Sequence, residues 1–152
     1  MDQDAFRQTY REVNERYCAF EKSVLTNRCD CSMAERFCIA EREGVHCRSE
    51  QGQRRCLNAL ALLREHAQFA LRTREDKATL PHGKAMRIQV GGMRGIRALI
   101  EPDAEDPKAI PDVDALLARV EATYGDLQSL PYSEIMPHIA AYEGRPRRAR
   151  GR

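Results

Sequence analysis

All six cysteines of this chain lie within its first 56 residues, although the chain has 152 residues. Cysteines that served only as small buried side chains would be spread along the whole chain. The N-terminal residues carry charge from position 2 and lack the apolar core of a secretory signal, which disfavours a disulfide framework. In a reducing compartment, clustered thiols more often hold a metal or a redox centre. The clustering therefore predicts a thiol site in the first third of the chain, in a cytoplasmic protein.

Four of these cysteines are predicted to bind one cofactor. Two of them flank a single aspartate at a predicted helix start, where backbone N–H groups and the helix dipole favour thiolates. A third precedes a long predicted helix, and the fourth lies two turns into it, on its apolar face. The predicted ligands are therefore Cys29, Cys31, Cys47 and Cys56.

The remaining two cysteines are interpreted differently. Cys38 is the alternative ligand because it would lie two helical turns beyond Cys31. Cys18 lies beside the apolar stripe of the first predicted helix, and we interpret it as a small buried side chain. Whether either takes part in the centre is left open by the spacing, which is C-x10-C-x-C-x6-C-x8-C-x8-C.

The same spacing bears on the cofactor. Zinc sites usually contain C-x2-C knuckles, and this sequence has none. Iron–sulfur clusters accept cysteines from dispersed positions on loops and helix starts. We therefore expect an iron–sulfur cluster of the [4Fe-4S] type, with zinc as the alternative cofactor.

No motif for paired carboxylates, a metalloprotease, a serine hydrolase or a phosphate loop is present, so no catalytic residue is assigned. The expected function is electron transfer, or that of an accessory subunit of a larger redox enzyme that would be its protein partner. With zinc, the chain would instead be an interaction module for protein or nucleic acid. A thiol-based redox sensor that cycles through a disulfide is a third hypothesis.

The charge distribution separates the body from the C-terminus. The formal net charge is +2, from 25 basic and 23 acidic residues, but five arginines lie in the last nine residues. Without them, 20 basic residues face 23 acidic ones, a net charge of −3, so the body does not resemble a nucleic-acid-binding domain. Residues 144–152 are predicted to be a disordered basic tail that could contact nucleic acid. No apolar run approaches the roughly 20 residues of a membrane span.

The predicted fold is mainly α (α+β) and forms one globular domain over residues 1–143. Its first part, residues 1–74, is a helical cysteine module, and residues 84–143 combine a small antiparallel β-hairpin with C-terminal helices. Apolar periodicity and a Ser32–Glu35 capping-box pattern predict a helix in the first segment that ends near Asn27, and further helices at 32–43, 49–74, 113–125 and 133–142. Alternating apolar residues around a glycine-rich GGMRG turn predict the hairpin over 86–100. Residues 73–83 and 101–112 are predicted loops.

Overall fold

The computed structural model describes residues 3–71 and 81–144 of the chain, and their fold is mainly helical with an antiparallel hairpin, as predicted. The first half contains two helices, the hairpin and a long helix. Their bounds are α1 (Gln3–Val13), α2 (Glu21–Leu25), β1 (Ala34–Ile39), β2 (Arg42–Cys47) and α3 (Glu50–Leu71).

The second half is helical in its described part. Helix α4 (Pro81–Met86) runs through a π-helical turn (Arg87–Gly91) directly into α5 (Gly92–Ile100). The remaining elements are α6 (Val113–Tyr124), a 3-10 turn (Leu127–Ser129) and α7 (Tyr132–Ala141). Helices α3, α6 and α7 match the predicted helices to within a few residues, and the loop over 101–112 is also as predicted.

The hairpin lies at a different place from the predicted one. The segment after Cys31 was expected to be a helix, but it forms β1 and β2, which pair from Ala34 with Cys47 to Ile39 with Arg42. Gly44, the expected helix end, lies inside β2, and a Cβ there would come within 2.5 Å of the Phe37 ring. The helix prediction is wrong because these strands satisfy each other's backbone groups and bury Val45 on one face.

The hairpin predicted over 86–100 is also wrong, because this stretch is helical throughout. Two glycines of GGMRG, Gly91 and Gly95, make room for α7 instead of forming a turn. A Cβ on Gly91 would come within 2.8 Å of the Ile139 Cα, and one on Gly95 within 3.0 Å of the Ile135 Cα. The two helix backbones can therefore approach closely only because these positions lack side chains.

The first predicted helix is interrupted after α1. The buried Asn14 side chain donates to the Val45 carbonyl over 2.9 Å, and Tyr17 forms an isolated antiparallel bridge with His46. The chain beyond Asn14 therefore runs along the edge of β2 before α2 begins. The continuous helix to Asn27 is not formed, because backbone pairing with β2 replaces it.

A hydrophobic core joins the two halves, with buried members from Phe20 in the first half to Tyr142 in the second. Within the described ranges, no helix is both long and apolar enough to cross a bilayer. Most of the predicted loop over 73–83 and the five arginines of the predicted tail lie outside the described residues.

Candidate metal centre

Four cysteines line one small cavity of about 10 Å³, which we call the cysteine cavity. Each comes from a different segment: the stretch before α2, the loop before β1, the end of β2 and the second turn of α3. They are Cys18, Cys31, Cys47 and Cys56. Three of them are predicted ligands, whereas Cys18 was interpreted as an ordinary buried side chain.

Backbone pairing places Cys18 beside Cys47. The Cys18 N–H donates to the Val45 carbonyl over 3.0 Å, and the Cys47 N–H donates to the Arg16 carbonyl over 2.8 Å. These two bonds fix the extended stretch before α2 against the end of β2. The interruption of the first helix is therefore what brings Cys18 to the cavity.

The loop that carries Cys31 is held by the second half of the chain. The Asp30 N–H donates to the Ile110 carbonyl, and the Val113 N–H donates to the Asp30 carbonyl, each over 2.9 Å. The Ser32 N–H donates to the Asp112 carboxylate over 3.2 Å. We call these three bonds the loop clamp. They seat the start of α6 against the cysteine cavity.

The N-terminus of α6 points at Cys31. Asp112 is the N-cap, and its carboxylate accepts the Ala115 N–H over 3.2 Å. The nearby backbone N–H groups of Met33 and Asp114 act to lower the pKa of Cys31, although burial has the larger effect and the pKa is raised overall. Such donors, together with the positive end of the helix dipole, favour a thiolate at Cys31.

Burial opposes ionisation of the thiols around the cavity. It raises the pKa of Cys18 to about 12, and the neighbouring thiols add to the effect. The pKa of Cys56 is raised even further, first by burial and then by repulsion from Cys31 and Cys18. Burial also raises the pKa of Cys31, although its N–H donors act in the opposite direction. Burial therefore disfavours the thiolate forms of Cys18 and Cys56.

The other two cysteines lie elsewhere. Cys29 is buried beside Ser23, and burial raises its pKa to about 12. Cys38 is exposed on β1. Neither contributes to the lining of the cysteine cavity. The structure therefore brings Cys31, Cys47 and Cys56 together, but not Cys29 or Cys38.

The rest of the lining is mostly apolar. Apart from the cysteines it consists of Ala19, Phe20, Val24, Met33, Ala34, Gln53, Val113 and Asp114. Among the residues that the structure describes, no group of three or more His, Cys, Asp or Glu side chains is placed to hold a single metal ion. The thiols share a cavity, therefore, without surrounding one ion position.

Comparison of the chain with models of known protein families, with curated proteins and with solved structures gave no match. What the cysteine cavity binds must therefore be inferred from its own residues.

Proposed function

We propose that this chain binds an iron–sulfur cluster of the [4Fe-4S] type through Cys18, Cys31, Cys47 and Cys56, and that it transfers electrons to or from a larger redox protein. The observation that carries this proposal is the convergence of four thiols, from four separate segments, on one cavity. The proposed ligand set keeps three of the cysteines expected from the sequence and has Cys18 in place of Cys29.

The surroundings of the sulfurs support a charged occupant. Buried neutral thiols pack as small apolar groups and need no hydrogen-bond donors. Here the nearby backbone N–H groups of Met33 and Asp114, the second at the N-terminus of α6, oppose the effect of burial on the pKa of Cys31. N–H groups near a sulfur favour its thiolate form, which is also the form that ligates a metal.

The absence of single-ion geometry favours a cluster over zinc. In a four-cysteine zinc site, all sulfurs lie about 2.3 Å from one ion. No side-chain group in the described residues is placed in this way, and the sequence has no C-x2-C pair. In a [4Fe-4S] cluster each cysteine ligates a different iron, so the sulfurs surround a larger object.

One observation favours zinc as the second candidate. The cavity volume of about 10 Å³ is roughly the space of a single water molecule. A single ion would enter with small movements, whereas a cluster requires the lining to move apart. A zinc-bound chain would be an interaction module whose fold the metal stabilises.

The proposed partner is a redox enzyme or complex. Cys18 and Cys31 are partly exposed, whereas Cys47 and Cys56 are buried. Electrons would therefore enter and leave on the side of Cys18 and Cys31. Contact of the basic tail with nucleic acid, and a cytoplasmic location, stay predictions from the sequence.

Metal analysis of protein purified without oxygen tests the proposal. We expect about four iron and four sulfide per chain, with visible absorption that a reductant bleaches. Cys18→Ser should abolish this absorption, and Cys29→Ser, a change in a buried thiol outside the cavity, should keep it. Colourless protein with stoichiometric zinc would establish the second candidate instead. Loss with Cys29→Ser and retention with Cys18→Ser would restore the ligand set expected from the sequence.

A further inference from the structure

Two of the four cysteines that line the cysteine cavity are partly exposed. They are Cys18 and Cys31, whereas Cys47 and Cys56 are buried. A small oxidant dissolved in water therefore reaches the first two sulfurs more easily than the other two. Cys18 and Cys31 also lie on irregular backbone, while Cys47 ends a strand and Cys56 lies within a helix. Irregular segments adjust to a new bond more easily than a regular hydrogen-bonded element does.

The cavity brings the Cys18 and Cys31 sulfurs together. Its volume of about 10 Å³ is roughly the space of one water molecule, so little room separates the side chains around it. Electrostatic repulsion between two groups falls as the distance between them grows. Burial is the main cause of the raised pKa of Cys18, and the largest charge effect on this thiol comes from Cys31, ahead of Cys47. Among the described residues, Cys31 therefore interacts electrostatically with the Cys18 sulfur more strongly than the other thiols do.

Backbone hydrogen bonds hold both cysteines at the cavity. The Cys18 N–H donates to the Val45 carbonyl over 3.0 Å, which fixes its segment against β2. The Cys31 N–H donates to the Asp30 carboxylate over 2.8 Å, and the Cys31 carbonyl accepts the Ala34 N–H over 3.2 Å. The fold has thus already placed the two segments around one void. A bond between the sulfurs needs only a local adjustment to reach the Cβ–Cβ separation of about 3.5–4.5 Å of a disulfide.

We propose that Cys18 and Cys31 form a reversible disulfide when the chain meets a hydroperoxide. This inference does not require the proposed cluster, because it uses only thiols that the chain itself supplies. It bears on that cluster nonetheless, because the same two sulfurs cannot be joined to each other and ligate a cofactor at the same time. The disulfide would therefore close the cysteine cavity to a cofactor under oxidising conditions and open it again on reduction.

The chemistry balances with hydrogen peroxide as the oxidant. One of the two sulfurs attacks a peroxide oxygen, the O–O bond breaks, and a sulfenic acid and one water molecule form. The other sulfur then attacks the sulfenic acid sulfur, the S–S bond forms, the S–O bond breaks, and a second water molecule leaves. The two thiols lose two electrons to the peroxide, and their two protons end in water. Exchange with a small dithiol reverses the reaction.

Peptide mapping of the oxidised full chain tests the proposal. The protein is freed of bound metal with a chelator, reduced, treated with one equivalent of hydrogen peroxide, alkylated after denaturation and digested without reductant. Trypsin releases Cys18 in the peptide YCAFEK, and Cys29 together with Cys31 in CDCSMAER. We expect these two peptides to be joined, the intact chain to lose two hydrogen atoms, and dithiothreitol to reverse both changes.

Variants assign the link to one sulfur of the second peptide. Cys31→Ser should lose the link completely, and Cys29→Ser is the matched control, which should keep it because Cys29 lies outside the cavity lining. All samples carry Cys38→Ser, because Cys38 is exposed and would otherwise join two chains. The link in the sample with Cys31 and Cys29 both present is informative in itself, so the test does not depend on the folding of Cys31→Ser.

A link to Cys47 or Cys56, a link that Cys29→Ser abolishes, or four cavity thiols that are still free after oxidation would each overturn the proposal. Iron and sulfide in protein purified without oxygen are measured on a separate sample. A cluster in that sample, with no Cys18–Cys31 bond in the stripped chain, overturns this inference and leaves the proposed function intact. The bond in a chain that is purified without a cluster supports this inference and overturns the proposed function.

Discussion

Cys29 and Cys38 carry the same thiol in opposite surroundings. Cys29 is 4% exposed, and burial raises its pKa from 9.0 to about 12, whereas Cys38 is exposed on a strand. Three pKa units correspond to a roughly thousandfold smaller thiolate fraction near neutral pH. Only thiolates are alkylated at a useful rate, so the two cysteines should differ strongly in reactivity.

We predict that iodoacetamide modifies Cys38 to completion well before Cys29 in the native protein. Mass spectrometry of peptides after timed quenching measures both sites in one sample. In Cys38→Ser the early modification should disappear while the slow one persists. Equal rates at the two positions would contradict the buried placement of Cys29.

Some of the cysteines that line the candidate site could be predicted from the sequence. Cys31 and Cys47 could be selected because a cysteine in a loop or at a helix start is a good ligand position, and Cys56 because it lies on the apolar face of the long helix. Cys18 could not be selected from the sequence. Its position depends on the end of α1 before Asn14 and on the contacts that Asn14 and Tyr17 make with β2. The available signal was that Cys18 lies beside the apolar stripe of the predicted helix and not on it.

Helix α5 and the π-helical turn before it pack against α7 through glycines. A Cβ on Gly91 would meet backbone atoms, the Ile139 Cα at 2.8 Å and the His138 carbonyl oxygen at 2.9 Å. For a Cβ on the adjacent Gly92, the nearest atoms belong to the Leu63 side chain, the closest at 2.7 Å. A side chain can change rotamer, whereas a helix backbone has to shift as a whole.

Gly91→Ala should therefore destabilise the protein, by about 1–3 kcal/mol, because the overpacking outweighs the better helix propensity of alanine. Gly92→Ala, one position along the same helix, should cost clearly less. Urea unfolding followed by circular dichroism gives both values. Equal stability of Gly91→Ala and the wild type would mean that α7 does not approach this closely.

Helices with one apolar face could be predicted at the level of elements, and α3, α6 and α7 are examples. The helix around Val90 could not be predicted in this way. Its residues from Gln89 to Met93 are all buried, so its sequence does not alternate between one apolar and one polar helix face. Met86, Ile88 and Val90 fit an alternating pattern equally well. The local pattern of Ser32 and Glu35 failed because the Ser32 N–H is used by Asp112, eighty residues away.

At the scale of the whole molecule, Asp112 joins the two halves beside the cysteine cavity. Its carboxylate accepts the N–H of Ser32 in the first half and that of Ala115 in α6. Asp126 makes a similar local cap, accepting the Ser129 N–H over 2.8 Å, at a 3-10 turn whose residues do not line the cavity. Comparing variants of the two aspartates therefore distinguishes the effect of losing a cap from the effect of losing the bond to the Cys31 loop.

Asp112→Ala should lower the free energy of unfolding by about 0.5–2 kcal/mol and should also speed loss of the proposed cofactor to a chelator. Asp126→Ala should lower stability without changing the rate of loss. Absorption decay after chelator addition measures that rate, and thermal unfolding measures stability. A wild-type rate of loss in Asp112→Ala would show that the loop clamp does not secure the centre.

The loop clamp can form only after all four cysteines of the cavity have been synthesised. The four cysteines are complete once Cys56 has been synthesised, but the carbonyl of Ile110 and the start of α6 follow more than fifty residues later. At about 5–20 residues per second, this leaves several seconds during translation when the thiols exist without the segment that closes over them. The proposed cofactor, if delivered in that interval, would have its widest access, because the second half of the chain does not yet enclose the Cys31 loop.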